Sequence, residues 1–314
     1  MKTENLAVVT VTLNPAIDRT VTVSKFTAGA VNRVETVRAN AGGKGVNVAA
    51  LLAESGVRVA VTGFLGRENT SAFDELFSRR SIADHFVRIA GQTRTGIKIV
   101  DPILRQTTDI NFPGPGVSPG DLAAFLHQLS LLDADCFVLA GSLPPGIEPT
   151  IYRELITGLR ARGRRVVLDA SGAPLPLALE AKPHLIKPNV HELEELLGRP
   201  LPDAAAVVAA ARELVARGIE TVVVSMGKDG ACFVTAQEAI VARPPDVEVS
   251  STVGAGDAMV AGLVAAQSLK LSLEASARQA TAFSVYALTR SASVANFSQA
   301  IEAILPRVTI SQVV

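Results

Sequence analysis

Ser251-Thr252-Val253-Gly254-Ala255-Gly256-Asp257 is the stretch of this sequence best suited to chemistry. Gly254 and Gly256 let successive backbone N–H groups turn toward one point without side-chain obstruction. The small-residue run that follows, Ala258-Met259-Val260-Ala261-Gly262-Leu263-Val264, reads as a helix. Its N-terminus adds partial positive charge at that point. Gly254, Ala255 and Gly256 thus make a candidate anion hole, with the Asp257 carboxylate at its rim. A carboxylate hinders a site that merely holds an anion. It helps where a hydroxyl must lose a proton while phosphoryl charge develops beside it. Taken alone, the same aspartate would serve as the N-cap of an ordinary helix.

Other polar and glycine-rich loops recur along the chain: Asp18; Gly42-Gly43-Lys44-Gly45 with Asn47; Gly141-Ser142; Lys187-Pro188-Asn189 with Glu192; and Ser225-Met226-Gly227-Lys228-Asp229-Gly230. The first half offers a hydroxyl-binding acid, an amide and a cation; the second offers glycine loops for a nucleotide. Each has a plainer use. Gly42–Gly45 would make a tight strand-to-helix turn, Asp18 an Asx turn after Pro15, and Ser225–Gly230 a hairpin turn. No Gly-x-x-x-x-Gly-Lys-Ser/Thr occurs and no Gly-x-Gly-x-x-Gly follows the first strand, which excludes a P-loop and weakens a dinucleotide reading. Gly141-Ser142 lacks the second half of a nucleophile elbow. His191 has no histidine or cysteine at metal spacing.

The elements that must hold these loops follow from hydrophobic pattern. Residues 6–13 read as a strand buried on both faces, ended by Asn14-Pro15. A helix opens after the Gly42–Gly45 loop and stops at Gly56; a strand is expected at 57–63 and an amphipathic helix at 68–80. Ser118-Pro119-Gly120-Asp121 starts a helix. Strands at 136–140, 165–169, 184–187 and 221–225 alternate with helices at 149–162, 190–197 and 203–217, several stopped by glycine. That alternation predicts a parallel sheet with right-handed crossovers, whose strand carboxyl ends carry the ligands. Residues 20–24, 33–38, 95–100 and 107–112 alternate polar and apolar instead, so they are assigned to a small accessory sheet.

The chain has 314 residues, 48% hydrophobic and 19% charged, which describes a globular protein rather than a disordered one. Thirty acidic and thirty basic residues cancel, leaving no field for a nucleic-acid backbone. Tryptophan is absent and tyrosine occurs twice, a poor supply of stacking platforms. Cys136 and Cys232 lie in apolar runs and read as buried free thiols, in keeping with a cytoplasmic setting. Neither a signal peptide nor a membrane span is expected.

Thr12-Leu13-Asn14-Pro15-Ala16-Ile17-Asp18, Ala41-Gly42-Gly43-Lys44-Gly45-Val46-Asn47-Val48-Ala49, Gly63-Phe64-Leu65-Gly66, Gly141-Ser142-Leu143-Pro144-Pro145-Gly146, Lys187-Pro188-Asn189 with Glu192, and the Ser251–Asp257 stretch together resemble the ribokinase-type (PfkB) carbohydrate kinases, in family order and over almost the whole chain. The resemblance implies a ribokinase-like three-layer α/β/α fold spanning 1–314, with a mostly parallel central sheet. Lid strands would be inserted at about 19–40 and 94–113 and would form a homodimer contact. By position, Asp257 matches the catalytic base, and Gly254, Ala255 and Gly256 the anion hole. Asp18, Gly42, Gly43, Lys44, Asn47, Arg94 and Ser142 match the sugar-phosphate side. Lys187, Asn189, Ser225, Gly227, Gly230 and Ser251 match nucleotide positions, and Glu192 the acid that organises magnesium. Ser251 and Val253 fall where relatives bind potassium, although the stretch around 287–292 departs from the pattern. The implied reaction is phosphorylation of fructose 1-phosphate to fructose 1,6-bisphosphate by ATP and magnesium. Tagatose 6-phosphate and fructose 6-phosphate are the alternative acceptors. A non-catalytic sugar-phosphate sensor is the alternative from another class.

Overall fold

The computed structural model describes residues 6–104, 106–249, 254–289 and 296–313. Ser251, Val253 and residues 290–292 lie outside them. In chain order the elements begin with β1 (Leu6–Thr12), β2 (Ala16–Thr22), β3 (Thr36–Gly42), α1 (Lys44–Glu54), β4 (Val59–Gly66), α2 (Ser71–Arg80), β5 (Ala83–Ile89), β6 (Arg94–Asp101) and β7 (Gln106–Asn111). The middle of the chain forms α3 (Pro119–Leu131), β8 (Ala134–Ala140), α4 (Ile151–Ala161), β9 (Arg165–Asp169), α5 (Pro174–Leu179), β10 (Leu185–Ile186), α6 (Val190–Leu197), α7 (Ala204–Ala216) and β11 (Thr221–Ser225). The remainder is β12 (Ala231–Val234), β13 (Ala239–Arg243), α8 (Ala255–Ser268), α9 (Leu273–Thr289), α10 (Phe297–Ile304) and β14 (Thr309–Gln312).

Ten strands make one sheet in the order β14-β13-β12-β11-β10-β9-β8-β1-β4-β5. Pairing is parallel from β5 through β11. It turns antiparallel for β12, β13 and β14. Alternation along buried strands feeds two cores. On β1, Val9 and Val11 face one side with Phe125, Tyr152, Leu155 and Leu214, while Val8 faces the other with Val46, Phe73, Leu263 and Phe283. Strands buried on both faces therefore lie between two helical layers, the three-layer α/β/α arrangement.

A separate four-stranded sheet, β3-β2-β6-β7, corresponds to the expected lid and is termed the lid. It pairs β2 parallel to β6 and closes both edges antiparallel. Here the sequence reading needs correction. Strand β2 starts at Ala16, not residue 20, and β3 runs on to Gly42, past residue 38. Asn14-Pro15 does end β1, but the chain re-extends at once, so Asp18 belongs to a lid strand rather than to a turn after β1. Strand β4 also runs further than expected, to Gly66, and the edge strand β5 went unread. Strand β5 has a mixed burial pattern, with only Phe86 and Ile89 buried, so its alternation is weak. The hairpin turn at Ser225–Gly230 does lead into β12, but the pattern does not predict β13, α9, α10 or β14. Short apolar runs such as Ala231–Val234 carry no period that distinguishes strand from helix.

Cys136 and Cys232 are both buried and unpaired. Burial pushes their thiols up to about 12 and about 11. Among the described residues no helix is long and apolar enough to cross a membrane.

Candidate active site

The carboxyl ends of β1, β8, β9 and β11 and the N-termini of α1, α6 and α8 meet at one edge of the large sheet, with the lid above its β1 end. Helix α8 starts one residue after Gly254, which caps it at φ 79° with no side-chain cap bond. Asp257 is thus not the cap. It lies in the first turn, 8% exposed, and Asn47 Nδ2 of α1 donates to its Oδ2 at 2.7 Å. Burial first, and then the charge of nearby Asp169, push the Asp257 carboxyl up to about 6; the Asn47 hydrogen bond, Lys44 and Lys187 oppose this. A carboxylate with that affinity takes up a proton near neutral pH far better than an exposed one.

Below it lies a cluster that the sequence reading did not find. Asp169, the last residue of β9, accepts from Lys44 Nζ at 3.0 Å, and Lys187 Nζ stands 3.7 Å from the same Oδ1. Burial alone would raise the Asp169 carboxyl; the two lysines outweigh it and hold the carboxyl below the ordinary range. Burial also works against the charge of Lys44, yet the Asp169 carboxylate holds that ammonium above its usual value. Lys187 is 5% exposed and reaches under the anion loop: a Cβ on Gly256 would stand 3.4 Å from Lys187 Nζ. A buried lone acid would be unstable, but an acid holding two ammonium groups fixes positive charge beside the α8 N-terminus. The sequence signal was present: a single acid ends an otherwise apolar strand at the ligand-bearing edge.

The lid supplies Asp18. Gly96 lies directly opposite it on β6, and a Cβ there would stand 2.8 Å from Asp18 Oδ1. A Cβ on Gly42 would collide with the Asp18 carboxylate itself. Both glycines therefore clear room for this acid, whose proton affinity burial raises while Lys98 and Arg94 lower it. Gly43 caps α1 at φ 110°, and a Cβ there would stand 2.9 Å from Pro15 Cα, so only glycine lets α1 start so close to the end of β1.

Beneath the lid a cleft of about 700 Å³ is lined by Asn14, Lys44, Arg94, Asn111 and Ser142, among others. Arg94 is held by its Nε to Asn14 O at 3.2 Å and its Nη1 to Phe112 O at 3.3 Å. Burial lowers the proton affinity of its guanidinium, with Asp18 opposing. Asn14 Nδ2 donates to Pro113 O at 3.1 Å and lies 3.3 Å from Ser142 Oγ and Leu143 O, tying the lid's exit to the loop after β8. Asn14 and Asn111 were not picked out as site residues, because amides near turns are common.

On the other side, Asn189 and Glu192 form a reciprocal cap of α6: Asn189 Oδ1 accepts from Glu192 N at 2.8 Å and Glu192 Oε2 from Asn189 N at 2.9 Å. Ser225 ends β11 and bridges to Asn189. Gly227 and Gly230 lie in the hairpin turn to β12, as the plainer reading of that loop had it. Asn47 Nδ2 is engaged by Asp257, and Asn47, Asp18 and Gly42 border the cleft region without lining the cleft itself.

Among the described residues no three His, Cys, Asp or Glu side chains form a metal cage. Asp169 Oδ2, however, is buried without a partner, and one Glu192 oxygen is not used by the cap. Few protein oxygens suit an ion that nucleotide phosphates would largely coordinate.

A glycine-capped helix N-terminus, a buried carboxylate of raised proton affinity, two lysines on one acid and a cleft beneath the small sheet suit phosphoryl transfer on a three-layer α/β/α fold. The pfkB family of carbohydrate kinases matches residues 4–300, and the chain belongs to that family. It is 52% identical to "1-phosphofructokinase" of Rhodobacter capsulatus over 286 residues, covering 90% of each chain. The structure of phosphofructokinase-2 from Escherichia coli in complex with substrates and products superposes with a TM-score of 0.89 at 27% identity, covering 96% of this chain and 99% of that one. The same enzyme in complex with potassium superposes with a TM-score of 0.88 at 27% identity, covering 96% and 98%.

Proposed function

We propose that this chain transfers the γ-phosphoryl group of ATP to the free primary hydroxyl of fructose 1-phosphate, giving fructose 1,6-bisphosphate. The observation that carries the reading is Asp257: a buried carboxylate of raised proton affinity, held by Asn47 beside the N-terminus of α8. The likeness to proteins named 1-phosphofructokinase supports the acceptor.

In this reading Asp18 orients sugar hydroxyls from the lid. Lys44 and Arg94 offer positive charge to the phosphate already on the sugar, and Ser142 a hydroxyl at the cleft wall. Asp257 takes the proton of the attacking hydroxyl at its carboxylate. The amides of Gly254, Ala255 and Gly256, with Lys187 beneath, bind charge as it builds on the phosphoryl group. Asn189, Ser225, Gly227 and Gly230 border the nucleotide. Glu192, one of whose oxygens the cap does not use, would hold a divalent ion, magnesium on its preference for oxygen, which would supply charge neutralisation on the phosphates. Potassium beside Ser251 and Val253 is a further expectation. The lid excludes water and so protects ATP from hydrolysis.

Directly opposed residues on the lid share a face. Arg19, Ile97 and Ile110 form one such row and Val21, Val37 and Ile99 another, so one face is largely apolar. Val37 is 61% and Ile110 45% exposed, which supports pairing of two lids in a homodimer. Buried free thiols suit a cytoplasmic setting. An assay of ADP release across fructose 1-phosphate, fructose 6-phosphate and tagatose 6-phosphate tests the reading. The highest kcat/KM is expected with fructose 1-phosphate. Preference for another acceptor would reassign the substrate, and release with none would replace the kinase by a sugar-phosphate sensor.

A further inference from the structure

Helices α8 and α9 lie backbone to backbone: a Cβ on Gly262 would stand 2.7 Å from Ala280 Cα. One turn further along α9, on the same face, Ser284 Oγ donates to Ala255 O at 2.7 Å. Ser284 is buried. A helical serine ordinarily returns its proton to the carbonyl one turn back in its own helix. This one crosses to the first residue of α8. Ala255 O is already placed to accept the fourth amide along its helix, so the extra bond is not needed to satisfy that carbonyl. Its consequence lies at the other end of the same peptide group, whose N–H belongs to Gly256. A hydrogen bond accepted at C=O polarises the peptide and makes its N–H a stronger donor.

We propose that Ser284 is a positioning residue for the anion hole: by bonding Ala255 O it fixes the 255–256 peptide and strengthens Gly256 N–H as a donor to the phosphoryl group in transfer. The proposal rests on the reading of Gly254–Gly256 as the anion hole. That charge develops in the transition state, so the bond should act on kcat and not on ground-state affinity.

The test uses the full-length protein and three variants. Ser284→Ala is expected to lower kcat about fivefold, the scale of one modest hydrogen bond, with KM for fructose 1-phosphate and for ATP unchanged. Ser284→Thr, which keeps the hydroxyl, should retain kcat. Ser284→Cys, of similar volume but a weak donor, should behave like Ser284→Ala and serves in its place should that variant fail to fold. In ¹⁵N-labelled protein the Gly256 amide proton should move upfield in Ser284→Ala, a readout that needs no turnover. Wild-type kcat per folded molecule in both the Ala and Cys variants, a loss carried by KM, or an unmoved Gly256 resonance would each overturn the proposal. Lack of phosphoryl transfer by the wild-type protein would overturn the kinase reading instead, and the Gly256 resonance would still report on the bond.

Discussion

Asp18 and Asp257 are both carboxylates whose proton affinity burial raises, but they are held in different ways. Asp257 sits on a helix packed into one core, with an amide partner and with buried Lys187 and half-buried Lys44 nearby. Asp18 sits on a lid whose edge strand β7 is exposed along its length, in space cleared by two glycines, with its charged neighbours beside it on the same sheet. The large sheet edge builds a preset electrostatic environment. The lid, in the proposed reading, builds a shape that the sugar phosphate completes. Preorganised dipoles act on the transition state, while a movable recognition surface acts on binding and water exclusion. Substitutions in the two regions should therefore divide between kcat and KM.

The strongest break is Asp257→Asn. Turnover should fall by about a hundredfold or more, the scale of losing a general base, while KM for both substrates stays near wild type. A steady-state assay returning near-normal turnover would remove the base from the site. The same variant should gain stability. A carboxyl with a folded pKa of about 6, above its ordinary value of 3.8, stabilises the fold fully below pH 3.8, and that contribution is lost as pH rises through 6. Wild type therefore carries a cost on the order of 3 kcal/mol at pH 8 that the amide does not. Thermal melts should show Asp257→Asn gaining on wild type at pH 8 and not at pH 4.

Gly42→Ala probes the lid side. Its new methyl displaces the Asp18 carboxylate, so KM for the sugar phosphate should rise roughly tenfold, a loss of about 1.4 kcal/mol of ground-state binding. KM for ATP should hold. If kcat fell instead, the proposed division between the two regions would be wrong.

A smaller shift sharpens the electrostatic half. In wild type, kcat/KM should drop as pH falls through about 6, where Asp257 becomes protonated. Asn47→Ala removes the hydrogen bond that favours the carboxylate, so the acid limb of the pH profile should move to higher pH. A limb that stays put, or moves down, would deny Asn47 its part in setting the base. Val37→Lys on the apolar lid face should have the least effect on chemistry. It is expected to lower the molecular mass measured by light scattering from a dimer's to a monomer's; an unchanged dimer mass would move the contact elsewhere.

The amino-acid sequence alone determined the parallel α/β class, because apolar strands and glycine-stopped helices have incompatible periods that few folds can combine. It also determined the glycine loops and Asp257, because backbone amides can converge on one point only where side chains are missing. Only the tertiary structure decided that Asp169 matters, since its partners Lys44 and Lys187 lie 125 and 18 residues away in the chain. It likewise decided that Asn47 serves Asp257 across 210 residues, that Asp18 belongs to the lid, and that Ser284 bonds the peptide next to Gly256. Side-chain type and spacing register local geometry. A buried charge becomes tolerable, and a base becomes poised, only through groups that the fold brings to within hydrogen-bonding distance.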